Sequence, residues 1–438
     1  MRSTDLRVHQ GTLSPVIDGL DDCILEGPRV AMRESQLDGV SLPAGPGLVP
    51  VSGIDLYGDA VVADPFEAYR TLRDLGSAVY LPSVDAYFIG RFADVRAALS
   101  DWRTFSSDQG IGLNPVINAA WNEALICQDP PVHTERRRLI NEVLGPVALK
   151  PVADTIAVRA SALADRLVKR GDFDAVADFA HDLPIGVVMD LIGWPEDVRP
   201  RLLGLAEGSW NAAGPQNQRM EEGLVQLQEM MEVIAEIYAA KRVQPGGFAA
   251  KLIEASEAGV ITADTAIGML AGYIVAAFET TISAMASGIW LFANNPGEWD
   301  KLRADPGLAT AAANEIVRIE TPLQNFSRVV TTDVTLSDGI TLPAGSRVIV
   351  SYASANRDER QFADAGCFHI DRREKMNLGF GHGPHGCAGQ GLARMELTAV
   401  FTALAGRIAH FEITGPPERA LNNISRGFRR LPARARAS

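Results

Sequence analysis

The stretch LGFGHGPHGCAGQGLARMEL, residues 378–397, decides the fold of this chain. It places six glycines, two histidines and Cys387 in one turn, and the apolar spacing after the turn predicts a helix. Glycines let a flat, bulky group approach the backbone, at an entropic cost that an ordinary core turn avoids. A cysteine at a helix N-terminus has a stabilised thiolate and a lowered pKa. The turn therefore predicts a ligating cysteine rather than a buried structural one.

Three prosthetic groups that bind a cysteine thiolate are conceivable at Cys387. A zinc ion held by His382, His385 and Cys387 would lack a fourth ligand and regular spacing. An iron–sulfur cluster needs several cysteines, and the other three cysteines of the chain are remote in sequence. Haem iron needs one strong thiolate ligand, a glycine-lined approach and polar groups for the propionates. Haem therefore fits the turn best.

The spaced motif Phe380-x-x-Gly383-x-His385-x-Cys387-x-Gly389 resembles, position for position, the haem-binding signature of the cytochrome P-450 superfamily, soluble bacterial type. The resemblance implies a mainly α fold with a small β minority. In this single domain, haem b lies between a long central helix and the helix of the cysteine loop. Cys387 is implied as the iron ligand and His385 as a propionate partner. Phe380 and Gly389 are expected to contact the cofactor.

A second segment resembles the part of the superfamily that binds the haem propionates. It reads Asp129-Pro130-Pro131-Val132-His133-Thr134-x-x-Arg137, and residues four apart in a helix share one face. His133 and Arg137 can therefore point at one anionic edge. Arg328 matches a third propionate-binding position of the family.

The pair Glu315 and Arg318 resembles the Glu-x-x-Arg motif of the family, whose two charges meet on one helix face. In the family this buried pair fixes the scaffold of the haem loop, and an arginine before the next aromatic residue completes it. Cys367 stands at that place in this chain. We expect His369 to replace the arginine, so that His369→Ala would cost haem retention.

The apolar segment 267–293 is long enough to cross a bilayer, but lipid would disfavour Glu279 near its middle. We interpret the segment as a long helix through a globular core. Its sequence Ala276-Ala277-Phe278-Glu279-Thr280-Thr281 resembles the oxygen-activating acid–alcohol pair of the family. Glu279, in place of the commoner aspartate, would relay protons, and Thr280 would donate a hydrogen bond to dioxygen held at the haem. The alternative for Thr280 is a hydrogen bond to a carbonyl of its own helix.

The segments expected to form the substrate pocket resemble a bacterial branch of the superfamily that removes methyl groups from para-substituted methoxy-aromatics. They are residues 105–125, residues 209–215, the long helix and residues 323–326. Small residues such as Ala276 would leave room beside the haem. Trp210, Phe278 and Phe326 would sandwich one aromatic ring.

Benzoate-oxidising members of that branch hold the substrate carboxylate with basic and hydroxyl groups. The matching places here are Gln109, Ala271 and Gly272, which cannot neutralise a buried carboxylate. We therefore expect a small neutral aromatic substrate, such as a methoxyphenol or an alkylguaiacol, that is hydroxylated or O-demethylated with dioxygen and two electrons. The alternatives are a benzoate-type or terpene hydroxylase of the same superfamily, or a haem-thiolate protein that uses peroxide or senses a ligand.

Electrons are expected to come from a separate protein, because no flavin or iron–sulfur segment follows the cysteine turn. Family resemblance suggests a ferredoxin with its ferredoxin reductase, or a flavodoxin. A basic patch near the cysteine would suit such an acidic partner, and the alternative is a merely solvated set of side chains. The patch would consist of Arg136, Arg138, Arg372, Arg373 and Lys375.

The whole chain has 438 residues, of which 47% are hydrophobic and 22% charged, as in globular proteins. Its net charge of −13 argues against nucleic acid and anionic membranes as partners. The first residues lack the apolar stretch of a signal peptide, so we expect a cytoplasmic monomer with reduced thiols. Residues 1–50 show no sustained hydrophobic periodicity and are predicted to form an arm. Residues 51–438 are predicted to form the haem domain.

Hydrophobic periodicity predicts mostly helices with a few strands. A helix is predicted over residues 64–76 and a strand pair over residues 78–92. The dipeptide Asp338-Gly339 between alternating apolar runs predicts a hairpin, and residues 420–432 predict a second one.

Overall fold

The computed structural model describes residues 49–374 and 376–438. The predicted arm, residues 1–50, lies outside the described residues except for its last two. Helix makes up 55% of the structure and strand 12%. The prediction of a mainly α fold with a small β minority is therefore confirmed.

The long helices occupy the central part of the chain. The α-helices of the described residues are α1 (Asp59–Ala63), α2 (Phe66–Leu75), α3 (Phe92–Ser100), α4 (Pro115–Ala120), α5 (Val132–Leu144), α6 (Pro146–Leu149), α7 (Ala153–Arg170), α8 (Asp182–Ile192), α9 (Arg199–Ser209), α10 (Gln218–Ala239), α11 (Phe248–Glu257), α12 (Ala263–Asn294), α13 (Pro296–Ala304), α14 (Ala309–Glu320), α15 (Tyr352–Ala355) and α16 (Gln390–Ala405). The strands are β1 (Val79–Leu81), β2 (Ala86–Ile89), β3 (Phe105–Ser106), β4 (Asp172–Asp174), β5 (Asn325–Val330), β6 (Val334–Thr335), β7 (Thr341–Leu342), β8 (Arg347–Ser351), β9 (Ile408–Ile413), β10 (Glu418–Arg419), β11 (Phe428–Arg430) and β12 (Pro432–Ala437).

The local predictions from periodicity are confirmed. The helix predicted over residues 64–76 is α2, and the strand pair after it is the antiparallel pair β1–β2. Strands β6 and β7 form the hairpin around Gly339, whose φ of 88° explains why glycine is needed in this turn. The C-terminal hairpin predicted over residues 420–432 is confirmed in part, because β11 lies in that range and its antiparallel partner β10 precedes it.

The largest sheet carries two predicted site residues on one strand. Its strand order is β1-β2-β8-β5-β3, with β2 parallel to β8 and the other pairs antiparallel. Every residue of β5 is buried. Since side chains two apart on a strand share a face, Phe326 and Arg328 reach the same cavity.

Helix α12 runs through the centre of the molecule for 32 residues. It begins after Thr262, whose side chain accepts a hydrogen bond from the Thr265 N–H at 3.1 Å. It packs against α8, α9, α10, α14 and α16. Among the described residues it is the one helix long and apolar enough to cross a membrane, and 67% of its apolar window is buried inside the protein. A core helix explains both properties.

Candidate active site

A cavity of about 1040 Å³ lies between α12 and the cysteine turn, and we call it the main cavity. It brings together most of the predicted site residues. Those that line it are His133, Arg137, Trp210, Ala276, Thr280, Phe326, Arg328, Phe380, His385, Cys387 and Gly389. Residues from five separate parts of the sequence therefore converge on one space.

Cys387 lies three residues before α16 begins, as the sequence predicts. The sulfur of Cys387 accepts hydrogen bonds from the backbone N–H groups of Gly389 and Gln390. The positive charges of Arg137 and Arg394 also interact with it. All four contributions lower the thiol pKa, but burial raises it by more, so the net shift is upward. The N–H groups at the start of α16 therefore lower the thiol pKa, as predicted, but burial outweighs them. Coordination to haem iron would ionise this thiol, because a thiol that coordinates a metal ion is deprotonated.

The glycines of the turn serve two different purposes. A Cβ at Gly379 would lie 2.5 Å from Cγ1 of Val317, and one at Gly383 would lie 2.1 Å from the carbonyl oxygen of Leu99. Gly383 also has a φ of 67°, which disfavours other residues. These two glycines let the turn pack against the protein rather than against a prosthetic group. At Gly389, which lines the main cavity, the nearest atom would be 4.0 Å away.

One wall of the main cavity is polar and suits an anion. The rings of His133 and His385 have centroids 4.4 Å apart, and the Nε2 atom of each is buried without a hydrogen-bond partner among the described residues. Burial and neighbouring guanidinium groups lower the pKa of His133 to about 4 and that of His385 well below its usual value. The Arg137 guanidinium donates to the Gly386 carbonyl at 2.6 Å, and Arg328 is 3% exposed. Two imidazole nitrogens without partners, the buried Arg328 guanidinium and the partly buried Arg137 guanidinium fit the propionates of haem.

The acid and the alcohol of the predicted pair face different cavities. Thr280 lines the main cavity, and its hydroxyl donates to the Ala276 carbonyl at 2.8 Å, which is the alternative that the sequence left open. Glu279 lines a second cavity of about 910 Å³ on another face of α12, which we call the rear cavity. The hydroxyl of Ser425 donates to the Glu279 carboxylate.

Two predicted pocket residues lie elsewhere. Phe278 is 1% exposed and lines the rear cavity, so the prediction that it sandwiches a substrate is wrong. On a helix it points about 200° away from Ala276, which lines the main cavity. Gln109 does not line the main cavity, and its carbonyl accepts a hydrogen bond from Arg347 at 3.2 Å. Ala271 and Gly272 do line it.

The buried Glu-x-x-Arg pair has a third partner that the sequence interpretation missed. Glu315 accepts two hydrogen bonds from Arg318, each 2.7 Å long, and one from Nε of Arg372 at 3.1 Å. His369 contacts Glu315 through its backbone N–H, at 3.1 Å, while its ring lies 3.6 Å from Glu298. The prediction that the His369 ring replaces the arginine is therefore wrong. An arginine three residues further along the chain takes that place.

The predicted basic patch is smaller than expected. Arg372 is buried against Glu315, and Arg136 pairs with Glu123 at 2.5 Å. Lys375 lies outside the described residues. Arg138 and Arg373 are exposed and stay available to a partner.

Glu396 is a buried acid of the main cavity that was also missed. It is 1% exposed, and its Oε1 atom has no hydrogen-bond partner within the described part of the chain. Burial raises its pKa from 4.5 to about 8. The sequence could have revealed it, because Glu396 lies four residues after Leu392 and four before Val400. It therefore falls on the buried apolar face of α16.

Glu396 predicts a pH dependence of stability. Between pH 4.5 and pH 8 the folded protein keeps a proton that the unfolded chain releases, so stability falls as the pH rises, by up to about 1.4 kcal/mol per pH unit. Glu396→Gln is expected to reduce the difference between the thermal midpoints at pH 5 and pH 8. The control is Glu254→Gln, at an exposed site of α11. An unchanged difference in Glu396→Gln would show that Glu396 is ionised in the folded protein.

Comparison with known proteins assigns the family. The cytochrome P450 family model matches residues 212–435. Over 388 residues the chain is 38% identical to cytochrome P450 CYP199A2 of Rhodopseudomonas palustris, covering 88% of this chain and 94% of the relative. It is 31% identical to linalool 8-monooxygenase of Pseudomonas putida, covering 75% and 81%.

A solved structure shows the same architecture. It is CYP109E1 from Bacillus megaterium in complex with testosterone, with a TM-score of 0.77, 26% identity, and coverage of 85% of this chain and 98% of that one. The fold, the polar wall and the cysteine turn agree with these relationships. The chain belongs to the cytochrome P450 family and is a monooxygenase with thiolate-ligated haem b.

Proposed function

We propose that this monooxygenase oxidises a small, neutral aromatic compound by hydroxylation or by removal of a methyl group from a methoxy substituent. One observation carries the proposal. Among the described residues that line the main cavity, the basic ones are His133, Arg137, Arg328 and His385, and all four belong to the polar wall. The haem propionates would occupy that wall, so a substrate carboxylate would stay buried without a countercharge.

The substrate end of the main cavity is aromatic. The rings of Trp210 and Phe326 have centroids 5.3 Å apart, and those of Trp121 and Trp210 are 5.9 Å apart. The Trp210 indole donates to the Val275 carbonyl at 3.1 Å, which fixes this ring against α12. Tilted rings at these distances suit a flat aromatic guest. Trp121 was not predicted, although it lies in the loop that the sequence assigned to the pocket.

The haem would be held by residues already described. Cys387 would ligate the iron, His133, Arg137, Arg328 and His385 would bind the propionates, and Phe380 and Gly389 would contact the macrocycle. When bound, the haem supplies activation of dioxygen. Thr280 would hold a hydrogen bond at the oxygen side of the haem, and Glu279 would supply protons from behind the helix.

Oxidation of a methoxy group consumes dioxygen, two electrons and two protons and releases water. The hydroxylated methyl carbon forms a hemiacetal, which collapses to a phenol and formaldehyde. In this proposal the electrons come from a separate ferredoxin and its reductase, or from a flavodoxin, which docks near Arg138 and Arg373 in the cytoplasm. The enzyme acts as a monomer formed by residues 51–438.

The substrate class is tested by spectral titration of the ferric protein. We expect 4-ethyl-2-methoxyphenol to bind at least about tenfold more tightly than 4-methoxybenzoate, since an unmatched buried charge costs more than 1.4 kcal/mol. Formaldehyde release under turnover would then identify O-demethylation. Tighter binding of the benzoate would overturn the proposal, and tighter binding of linalool would favour a terpene hydroxylase.

A variant at Gly272 sharpens this experiment. A Cβ at Gly272 would meet no atom within 4 Å, so a longer side chain fits there inside the main cavity. Gly272→Lys is expected to shift the preference toward 4-methoxybenzoate, because the ammonium group supplies the missing charge. Gly272→Gln is the matched control, with similar length and no charge, and should keep the preference for the phenol.

A further inference from the structure

The rear cavity opens to solvent on a side of α12 that does not face the main cavity. The main and rear cavities have no lining residue in common. The rim of the rear cavity is exposed at Gln218 and Arg429, whereas Phe278 and Asn422 deeper inside are 1% and 6% exposed. Water can therefore reach the Glu279 carboxylate without passing through the substrate pocket.

Ser425 holds the Glu279 carboxylate, which lines the rear cavity. Its own side chain is 4% exposed, and its backbone N–H donates to Oδ1 of Asn422 at 3.0 Å. It also forms an antiparallel bridge with Leu323, which lines the main cavity. A side chain fixed on both sides, with its hydroxyl on Glu279, leaves that carboxylate little freedom to turn.

The C-terminal segment cannot move away from α12 easily. Gln324 donates its N–H to the Ile424 carbonyl, and Arg426 donates its N–H to the Pro322 carbonyl, both at 2.8 Å. A Cβ at Gly427 would lie 2.4 Å from Oγ of Ser283, so this backbone approaches α12 as closely as only glycine permits. Ser425 is therefore placed by contacts that do not involve Glu279.

We propose that Ser425 is a positioning residue for proton transfer, because its hydroxyl holds the Glu279 carboxylate where water in the rear cavity can reach it. The rear cavity is then the proton inlet of this enzyme. Each turnover takes up two protons, and each would pass from water in the rear cavity to Glu279 and then to the main cavity. Glu279 is restored by the next proton from solvent. The inference deepens the proposed function, because it rests on Glu279 as the proton donor.

Other titratable and charged groups of the rear cavity influence the titration of the Glu279 carboxyl. The titratable and charged side chains that line it with Glu279 are Tyr57, Asp59, His181, Arg219, Glu222 and Arg429. A hydroxyl that donates to a carboxylate stabilises the ionised form and lowers the carboxyl pKa. Removal of the Ser425 hydroxyl must therefore raise the pKa of Glu279 while these neighbours stay in place.

The first test needs no turnover. The infrared carboxyl band of Glu279 in the resting haem protein is assigned by its loss in Glu279→Gln and followed against pH. Ser425→Ala is expected to raise its titration midpoint by about one pH unit, since one hydrogen bond to a charged group has that strength. Ser425→Thr should restore the wild-type midpoint. Ser283→Ala removes a hydroxyl from the same cavity and should leave the midpoint unchanged.

The second test follows proton supply during turnover of 4-ethyl-2-methoxyphenol, with a bacterial ferredoxin, its reductase and NADH. Ser425→Ala is expected to release several-fold more peroxide per electron pair, to shift the pH profile of coupling to higher pH, and to keep the dissociation constant of the substrate. Ser425→Thr should be coupled like the wild type. A changed dissociation constant with an unchanged pH profile would reduce Ser425 to a structural role.

The outcomes separate this inference from the proposed function. If Ser425→Ala leaves the Glu279 midpoint at its wild-type value, Ser425 does not position Glu279. If the midpoint moves but Glu279→Gln stays fully coupled, the inlet is wrong together with the proton-donor role of Glu279. If the phenol is not oxidised at all, the substrate proposal fails. The infrared titration still shows whether Ser425 positions Glu279.

Discussion

Cys387→Ala is expected to abolish thiolate ligation of the haem. The variant loses the single cysteine that lines the main cavity within the described residues, so the ferrous carbonyl complex should lose the absorption typical of thiolate-ligated haem. Monooxygenation should disappear with it, because the thiolate pushes electron density that favours O–O cleavage. Absorption spectroscopy of the reduced carbonyl complex checks the first effect, and product formation checks the second.

Two further variants make this result specific. Cys127→Ala removes another buried cysteine, 1% exposed, and should keep the thiolate spectrum. Cys387→His offers nitrogen in place of sulfur and should give a carbonyl spectrum like that of a globin. A thiolate-type spectrum that persists in Cys387→Ala would mean that another residue ligates the iron.

Arg318→Met is expected to destabilise the protein by about 3–5 kcal/mol, because it leaves Glu315 buried beside only one arginine. It also removes the donors that the carbonyls of Asn356, Ala365 and Cys367 use. Chemical denaturation followed by tryptophan fluorescence measures the loss. Arg242→Met breaks an exposed ion pair with Asp197 and should change the midpoint little.

The third member of this cluster is tested in the same way. Arg372→Met should weaken the protein and its haem retention, because Arg372 also binds the carbonyls of Ala363, Asp364 and Cys367. His369→Ala should have a much smaller effect, since its contact with Glu315 comes from the backbone. Equal losses of stability and haem retention in the two variants would show that the His369 ring is as important to this cluster as Arg372.

The sequence was sufficient wherever chemistry and local spacing agree. The cysteine turn, the hairpin at Gly339 and the helical spacing of His133 and Arg137 need only neighbouring residues, and the structure brings them where they were expected. Ala276 and Thr280 share a helix face because they are four apart, and both line the main cavity.

The failures have physical causes. Phe278 was chosen for its aromatic ring without regard to its helix face, and helical geometry alone would have excluded it. Arg372 was missed because the loop before it folds back onto Glu315, which no local pattern shows. The contact of Glu279 with Ser425 joins residues 146 positions apart, so only the tertiary fold reveals it.

The two glycines that seat the cysteine turn on Val317 and Leu99 bear on the order of assembly. Their close approaches join two parts of the polypeptide, so contacts within the protein are enough to hold the cysteine turn in place. We therefore expect the cofactor to enter a largely preformed site, and its insertion should order little further polypeptide. Bulky residues at Gly379 or Gly383 would consequently destabilise the apoprotein, and the loss of bound haem would follow from that.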